Sequence, residues 1–169
     1  SSSRGLVDVY KRQHQMRKKG SQAGLDVLKG FIPKADVKAP GVSQWSVGMH
    51  VQHCCLATIA VCDSLVASAP PVPRSSFSLV TSAIFLTGRI PRGRGKSPEQ
   101  AIPRDDIWTN ELEGLLLDAE RRLAAAREAS PDQWFRHFAF GVLNRDRTLK
   151  FLGIHNRHHV RISQDILRA

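Results

Sequence analysis

The last predicted helix of this chain carries histidine where a helical bundle needs apolar side chains. In "LGIHNRHHVRISQDIL", residues 152–167, one face has the spacing of a bundle core, with gaps of 3, 4, 3 and 4 residues. The residues on this face are Leu152, His155, His159, Ile162 and Ile166. Arg157, Arg161 and Gln164 lie on the opposite face, where solvent is expected. The spacing therefore predicts a helix that directs two imidazole rings into the core.

Two histidines four positions apart on one helix face can hold one metal ion, because their side chains lie one above the other. His155 and His159 are therefore candidate ligands, and His158 lies on the flank of the same face. A third ligand has to come from another part of the chain. The candidates are His50, His53 and Cys54 in "QWSVGMHVQHCC" and His137 in "WFRHFAFG". The periodicity does not choose among them, and a buried structural pair of histidines without metal is the alternative.

The rest of the pattern predicts helices and loops, with no hairpin signal and no internal repeat. The predicted helices cover residues 21–32, a long segment that ends before Pro70, residues 75–88, residues 105–129 and a last segment that runs to the C-terminus. Ser43 or Ser46 caps the long helix, and Asn144 caps the last one. The segment "WFRHFAFG" is predicted to be a short turn. The fold class is therefore all-α, a bundle of four main helices with one short extra helix.

The formal charge of +10 is unevenly distributed. Residues 1–20 supply half of it. The opening "SSSRGLVDVYKRQ" is unlike the start of a domain, so residues 1–13 are expected to be a non-native or disordered segment before a single domain over residues 14–169. Part of the remaining charge lies in "GRIPRGRGKSP", residues 88–98, which is either a solvated loop or an anion-binding loop beside a pocket. Basic residues do not follow one face with stacking aromatics, so no nucleic-acid partner is expected.

The apolar content is that of an ordinary globular protein. Without a bilayer-spanning run or a signal-peptide pattern, a cytoplasmic protein with no membrane partner is expected. The longest apolar run, around "SAIFL", is too short and too interrupted by Ser and Thr to span a bilayer. Cys54, Cys55 and Cys62 are odd in number and crowded into one segment, so reduced thiols are expected. Cys55 and Cys62 fit core packing, and Cys54 stands next to a candidate ligand.

The two histidine segments together resemble the DinB-like superfamily of metal-dependent enzymes, which includes the YfiT-like proteins. The first motif of that superfamily is Trp-Ser, six intervening residues and then a histidine ligand, and counting from Trp45 and Ser46 leads to His53. The second motif is H-x-x-H-H, whose first and last histidines bind metal and match His155 and His159. The stretches "HFAFGVLNRDRTLKFLGIHNRHH" and "GRIPRG" resemble an uncharacterised branch of the superfamily. The resemblance covers roughly residues 20–169.

The resemblance implies an antiparallel four-helix bundle, a divalent metal held by His53, His155 and His159, and a homodimer. Zinc or nickel is expected, with manganese or iron as alternatives, and a low-molecular-weight thiol is a further candidate cofactor. Three neutral imidazoles leave an open coordination position, which is typical of catalytic sites. Four residues stay as neighbours or alternative ligands of this site: His50, Cys54, His137 and His158.

Characterised relatives in that superfamily include thiol-dependent S-transferases and a maleylpyruvate isomerase, in which the metal activates a small thiol as its thiolate. The resemblance therefore implies a thiol-dependent S-transferase that acts on small electrophiles. A hydrolase that uses metal-bound hydroxide is a second hypothesis, although the motifs place no Asp or Glu in the pocket as general acid or base. A non-enzymatic metal-binding stress protein is the third hypothesis.

Overall fold

The computed structural model describes residues 20–73, 79–93 and 97–169, and these residues are mostly helical. The helices are α1 (residues 20–29), α2 (Val47–Ala67), α3 (Leu79–Thr87), α4 (Thr109–Glu128) and α5 (Arg145–Ile166). Single turns of 3₁₀ helix lie at Ile32–Lys34 and Glu99–Ala101, and β1 (Trp134–His137) and β2 (Gly141–Asn144) form one antiparallel pair. The prediction for residues 1–13 falls outside the described residues.

Helix α2 lies at the centre of the structure and packs against both α4 and α5. The core around it consists largely of leucines that are almost completely buried: Leu25, Leu28, Leu65, Leu112, Leu116, Leu123 and Leu152. Among the described residues, α2 is the one helix long and apolar enough to cross a membrane, with a mean hydropathy of 1.3. More than half of that segment is buried inside the structure, as is common for core helices.

The starts of α2 and α5 follow the capping prediction. Of the two candidate caps for α2, Ser46 is the one used, because its hydroxyl oxygen accepts a hydrogen bond from the Met49 N–H at 3.1 Å. The Asn144 side chain accepts from the Arg147 N–H at 3.0 Å at the start of α5. These caps fix where the two histidine-bearing helices begin.

Helix α4 begins at Thr109, four residues after the predicted start at Asp105. The Glu111 carboxylate accepts a hydrogen bond from the Trp108 N–H at 3.1 Å, which holds Trp108 in extended backbone just before the helix. The sequence spacing predicts a buried face formed by Trp108, Leu112, Leu115, Ala119, Leu123 and Ala126. Trp108 is 74% exposed and is not part of that face. The predicted face is correct further along, where Leu112, Ala119 and Leu123 are fully buried.

The segment between α4 and α5 is a β-hairpin, so the prediction of a short turn without hairpin was wrong. Strands β1 and β2 pair in register from Trp134 opposite Asn144 to His137 opposite Gly141. Three residues connect the strands, and Gly141 has a φ of 71°, the left-handed conformation that closes such loops. The hairpin is tied to the end of α2, since the Trp134 N–H donates to Ser68 Oγ at 2.7 Å. These long-range contacts favour a sheet where local spacing indicates none.

A left-handed glycine also ends α3 and turns the chain toward α5. Gly88 has a φ of 64°, and its N–H donates to the Ile84 carbonyl at 2.8 Å. The helix was predicted over residues 75–88, of which residues 74–78 lie outside the described part. The chain after Gly88 carries the basic loop to the histidine-bearing end of α5.

Candidate metal centre

Three histidines from two helices converge at one point in the core. His53 belongs to α2, and His155 and His159 belong to α5. One ring nitrogen of each lies within 4.8 Å of the others, and the ring centroids are 4.6–5.0 Å apart. This is the convergence that the helix spacing and the Trp-Ser count together predict for these three side chains.

The cluster is buried but not sealed. His53 is 4% exposed and His159 is 8% exposed, whereas His155 is only partly buried. Along the same face of α5, Leu152, Ile162 and Ile166 are buried, as predicted. The site is therefore set into the core, and His155 is the least buried of its three histidines.

The outer hydrogen bonds of two rings define where their lone pairs point. The Ala101 carbonyl lies 2.6 Å from His53 Nδ1, and a carbonyl only accepts, so Nδ1 carries the proton and Nε2 carries the lone pair. His155 Nδ1 has Asn156 Oδ1 at 3.4 Å, a long contact that favours the same tautomer. His53 Nε2 and His155 Nε2 then face each other at 3.1 Å.

This arrangement fits the ligand set of a divalent metal. Two imidazole nitrogens that are each about 2.0–2.1 Å from one ion lie about 3.0–3.4 Å apart, depending on the coordination angle. The 3.1 Å between His53 Nε2 and His155 Nε2 falls in that interval. Metal-ligating histidines usually donate their other N–H to a carbonyl or carboxylate, as His53 does to Ala101.

Burial keeps the three rings neutral. It is the main cause that lowers the pKa of His155 to about 3, and repulsion from His53 adds to it. Burial likewise lowers the pKa of His159 well below its usual value, with further repulsion from His155, His53 and His50. The pKa of His53 is lowered by burial, against the opposing effect of its bond to Ala101. Neutral imidazole is the form that binds metal, so these rings could bind an ion without first losing a proton.

A fourth histidine, His50, is buried against the cluster and contacts one of its members. His50 is 2% exposed, and its Nδ1 lies 2.9 Å from His159 Nδ1. Its Nε2 lies 3.0 Å from Ser43 Oγ. The Trp45 ring packs beside this group, 5.1 Å from the His53 ring and 5.3 Å from the His50 ring. His50 thus lies behind His159 and is not one of the three converging rings.

The other candidate ligands lie beside the cluster or away from it. His158 packs edge-on against His159 at 5.0 Å, and a hydrogen bond ties its ring to the Ile90 backbone. His137 accepts hydrogen bonds from the Ala139 and Phe140 N–H groups in the hairpin and is stacked on Phe140. Cys54 is fully buried and is not part of the converging group.

The described part of the basic loop lies against α5 near the cluster. Arg92 Nη2 forms an ion pair with Asp165 Oδ2 at 2.6 Å. Arg92 also contributes to the lowered pKa of both His50 and His158, in each case after the larger effect of burial. The described part of the loop therefore lies near the histidines with Arg92 paired to Asp165, and the two sequence interpretations of the loop stay predictions. Residues 94–96 lie outside the described part.

A second segment, residues 101–104, is fixed to α2 by two neighbouring side chains. Besides the bond of His53 to Ala101, Gln52 Oε1 accepts a hydrogen bond from the Arg104 N–H at 2.6 Å. Gln52 also lines a groove of about 400 Å³ with mainly aliphatic walls. Arg104 and Glu111 form an ion pair at the same groove, with 3.2 Å between Nη2 and Oε2. No feature of the sequence points to this segment, because its role depends on a backbone carbonyl.

The chain matches no protein-family model, and no curated protein or solved structure matches it significantly. The family resemblance of the two motifs therefore stays a prediction from the sequence. What the structure adds is the set of three histidines within metal-binding distance of one another.

Proposed function

We propose that this protein is a metal-dependent enzyme with the DinB-like four-helix-bundle fold, and that it transfers a low-molecular-weight thiol to small electrophiles. The observation that carries the metal site is the convergence of His53, His155 and His159, with two neutral Nε2 atoms 3.1 Å apart. Zinc or nickel is the proposed ion, with manganese or iron as alternatives. The finer fold class, the thiol and a homodimer rest on the resemblance of the two motifs.

The chemistry follows from the charge of the ligand set. A divalent ion held by three neutral imidazoles would keep its full charge and an open coordination position. It would lower the pKa of a thiol or water placed there. The thiol sulfur then forms a bond to an electrophilic carbon, the leaving group departs with its electron pair, and the thiol proton passes to solvent. The partly buried side of His155 is the proposed entrance for the reactants.

The residues around the three histidines have supporting roles in this proposal. Ala101 and Asn156 orient the rings of His53 and His155 through their outer nitrogens. Trp45 covers the side of the cluster toward His50 and keeps water from it.

The hydrolase alternative receives less support from the site. Hydrolysis by metal-bound hydroxide is helped by a nearby general acid or base. In the described parts of the chain, no Asp or Glu forms a hydrogen bond or ion pair with His53, His155 or His159. The non-enzymatic alternative is separated from the proposal by activity alone, because both require the same ligands.

The first experiment measures metal content and thiol consumption in purified protein. Wild-type protein is expected to contain about one divalent ion per chain and to consume a small thiol in the presence of a chloronitrobenzene electrophile. The double variant His155→Ala/His159→Ala is expected to lose both. His158→Ala is the matched control, since it removes a neighbouring ring and leaves the three ligands in place, and it should keep its metal.

The outcomes separate the hypotheses. Normal metal binding by His155→Ala/His159→Ala would contradict the ligand assignment. Metal binding without thiol consumption, but with ester or amide hydrolysis that a chelator abolishes, would favour the hydrolase. Metal binding without any measurable turnover would favour a binding protein. A wild-type protein that binds no divalent ion would leave the structural histidine pair as the explanation of the cluster.

A further inference from the structure

A series of hydrogen-bond contacts leads from His159 of the histidine cluster through His50 to Ser43, and its first contact is buried. His159 Nδ1 contacts His50 Nδ1 at 2.9 Å, and His50 Nε2 contacts Ser43 Oγ at 3.0 Å. Ser43 Oγ also accepts the Trp45 N–H at 3.1 Å. Apart from His159, the residues of these contacts lie outside the proposed ligand group. The sequence motifs give Ser43 no role in them.

The proposed order of donors starts at the Ser43 end of these contacts. Trp45 N–H donates to Ser43 Oγ, and in this order the remaining lone pair of that oxygen accepts the His50 Nε2–H. The reverse order, with the Ser43 hydroxyl donating to His50 Nε2, would put the His159 proton on Nε2. A neutral His50 with its proton on Nε2 has a lone pair on Nδ1. With that tautomer of His50, the 2.9 Å contact is a hydrogen bond when His159 Nδ1 is the donor. His159 is left with its lone pair on Nε2.

The local backbone holds Ser43 for this task. The Ser43 N–H donates to the Ala39 carbonyl at 3.0 Å, and residues 39 and 43 form an isolated β-bridge just before α2. His50 lies in the first two turns of α2, where the Ser46 cap fixes the helix start. Since His50 is 2% exposed, water does not compete for its two ring nitrogens.

We propose that His50, held by Ser43, is a positioning residue that selects the His159 tautomer with a free Nε2 and aims it at the metal. The proposal rests on the metal site proposed above and adds a residue to it. The proposal does not make His50 a ligand, because it lies outside the converging group of three histidines. It acts on His159 as the Ala101 carbonyl acts on His53.

The test compares two substitutions of His50 that differ in one acceptor atom. Asn carries its Oδ1 near the position of the imidazole Nδ1 and can still accept from His159, whereas Leu fills similar space without an acceptor. We expect His50→Leu to weaken Co²⁺ binding about 10- to 100-fold and to change the visible absorption of the bound ion. His50→Asn should stay within a few-fold of wild type, and Ser43→Ala should fall between the two. His158→Ala serves as the control and should bind Co²⁺ as wild type does.

A second measurement needs no variant. Nitrogen-15 NMR of the metal-free wild-type protein is expected to place the proton of His159 on Nδ1 and that of His50 on Nε2. The opposite pair of tautomers would overturn the proposal even if His50→Leu fails to fold. Equal Co²⁺ affinity of His50→Leu and wild type would also overturn it while leaving the metal site intact. A count of four imidazole ligands in wild type and three in His50→Leu would make His50 a ligand and contradict the proposal.

A wild-type protein that binds no Co²⁺ or Zn²⁺ overturns the proposed metal site itself and this inference with it. Failure of the metal site is therefore seen in the wild-type protein. Failure of the His50 role is seen in the comparison of the His50 variants or in the tautomers of the wild-type protein.

Discussion

Helix α2 carries two buried clusters that differ in chemistry although they are neighbours in the chain. The histidine cluster consists of His53 on α2 with His155 and His159 on α5, and His50 of α2 is packed against it. The thiol cluster consists of Cys54, Cys55 and Cys62, all three of them free and fully buried. Either residue type can bind metal, so composition alone does not say which cluster is a site.

Burial has opposite consequences for the two clusters. It lowers the pKa of His50 to about 4 and that of His155 to about 3, which keeps imidazole in its neutral, metal-binding form. It raises the pKa of Cys55 and of Cys62 to about 12 and that of Cys54 well above its usual value, which keeps the thiols protonated. In the described residues, the three converging histidines are the group that could hold a cation, and the three cysteines belong to the hydrophobic core.

The largest effect we expect is a loss of stability in acid that originates in the histidine cluster. The pKa of these histidines in the folded protein lies below the unfolded value of 6.5. The free energy of unfolding is therefore highest above pH 6.5, where the histidines are neutral in both states. It falls toward pH 4, because the unfolded state takes up protons that the folded state does not. His50 alone, with a folded pKa of about 4, contributes about 3 kcal/mol to that loss. Urea unfolding at a series of pH values measures it.

The matched variant for this prediction is His50→Leu, which should show a shallower decline of the unfolding free energy between pH 6.5 and 4 than wild type. His158→Ala should make the decline shallower by a similar amount, because burial also lowers the pKa of His158 to about 4. An unfolding free energy that stays constant from pH 7 to 4.5 in wild type would show that the histidines are not held neutral in the core.

A smaller loss is expected at alkaline pH from the thiol cluster. The unfolded thiols ionise near pH 9, whereas the folded pKa of Cys55 and Cys62 is about 12, so stability falls as the pH rises above 9. The slope is about 1.4 kcal/mol per pH unit for each thiol that is ionised in the unfolded state. Cys62→Ala should reduce this slope while leaving the acid side unchanged. An equal alkaline slope in wild type and variant would contradict the assignment to the thiols.

Much of the histidine cluster could be predicted from the sequence because helical periodicity is a local property. The spacing of His155 and His159 places both on the buried face of α5, and the motif count selects His53 on another helix. The partners of these rings could not be predicted. Ala101 contributes a backbone carbonyl, which any residue carries, and it comes close to His53 only through tertiary packing.

The errors in the fold prediction have the same origin. The hairpin depends on Ser68 at the end of α2 as a partner for Trp134, a contact between residues that are far apart in the chain. The start of α4 depends on Glu111, which accepts the Trp108 N–H. The acidic residues just upstream are the alternative start that the sequence pattern indicates. The presence of the helices was therefore predictable from the local pattern. Their boundaries and the two strands depend on long-range contacts that the pattern does not contain.

The smallest effect concerns Ser46, which belongs to the Trp-Ser motif yet acts as a helix cap. Its hydroxyl accepts the Met49 N–H at 3.1 Å, so Ser46→Ala should lower the free energy of unfolding by about 1 kcal/mol. Co²⁺ affinity of the folded variant should stay within a few-fold of wild type, because His53 lies two turns into α2 and is held by Ala101. A drop in affinity as large as that expected for His50→Leu would mean that the cap, and not the contact of Ser43 with His50, positions the histidine cluster.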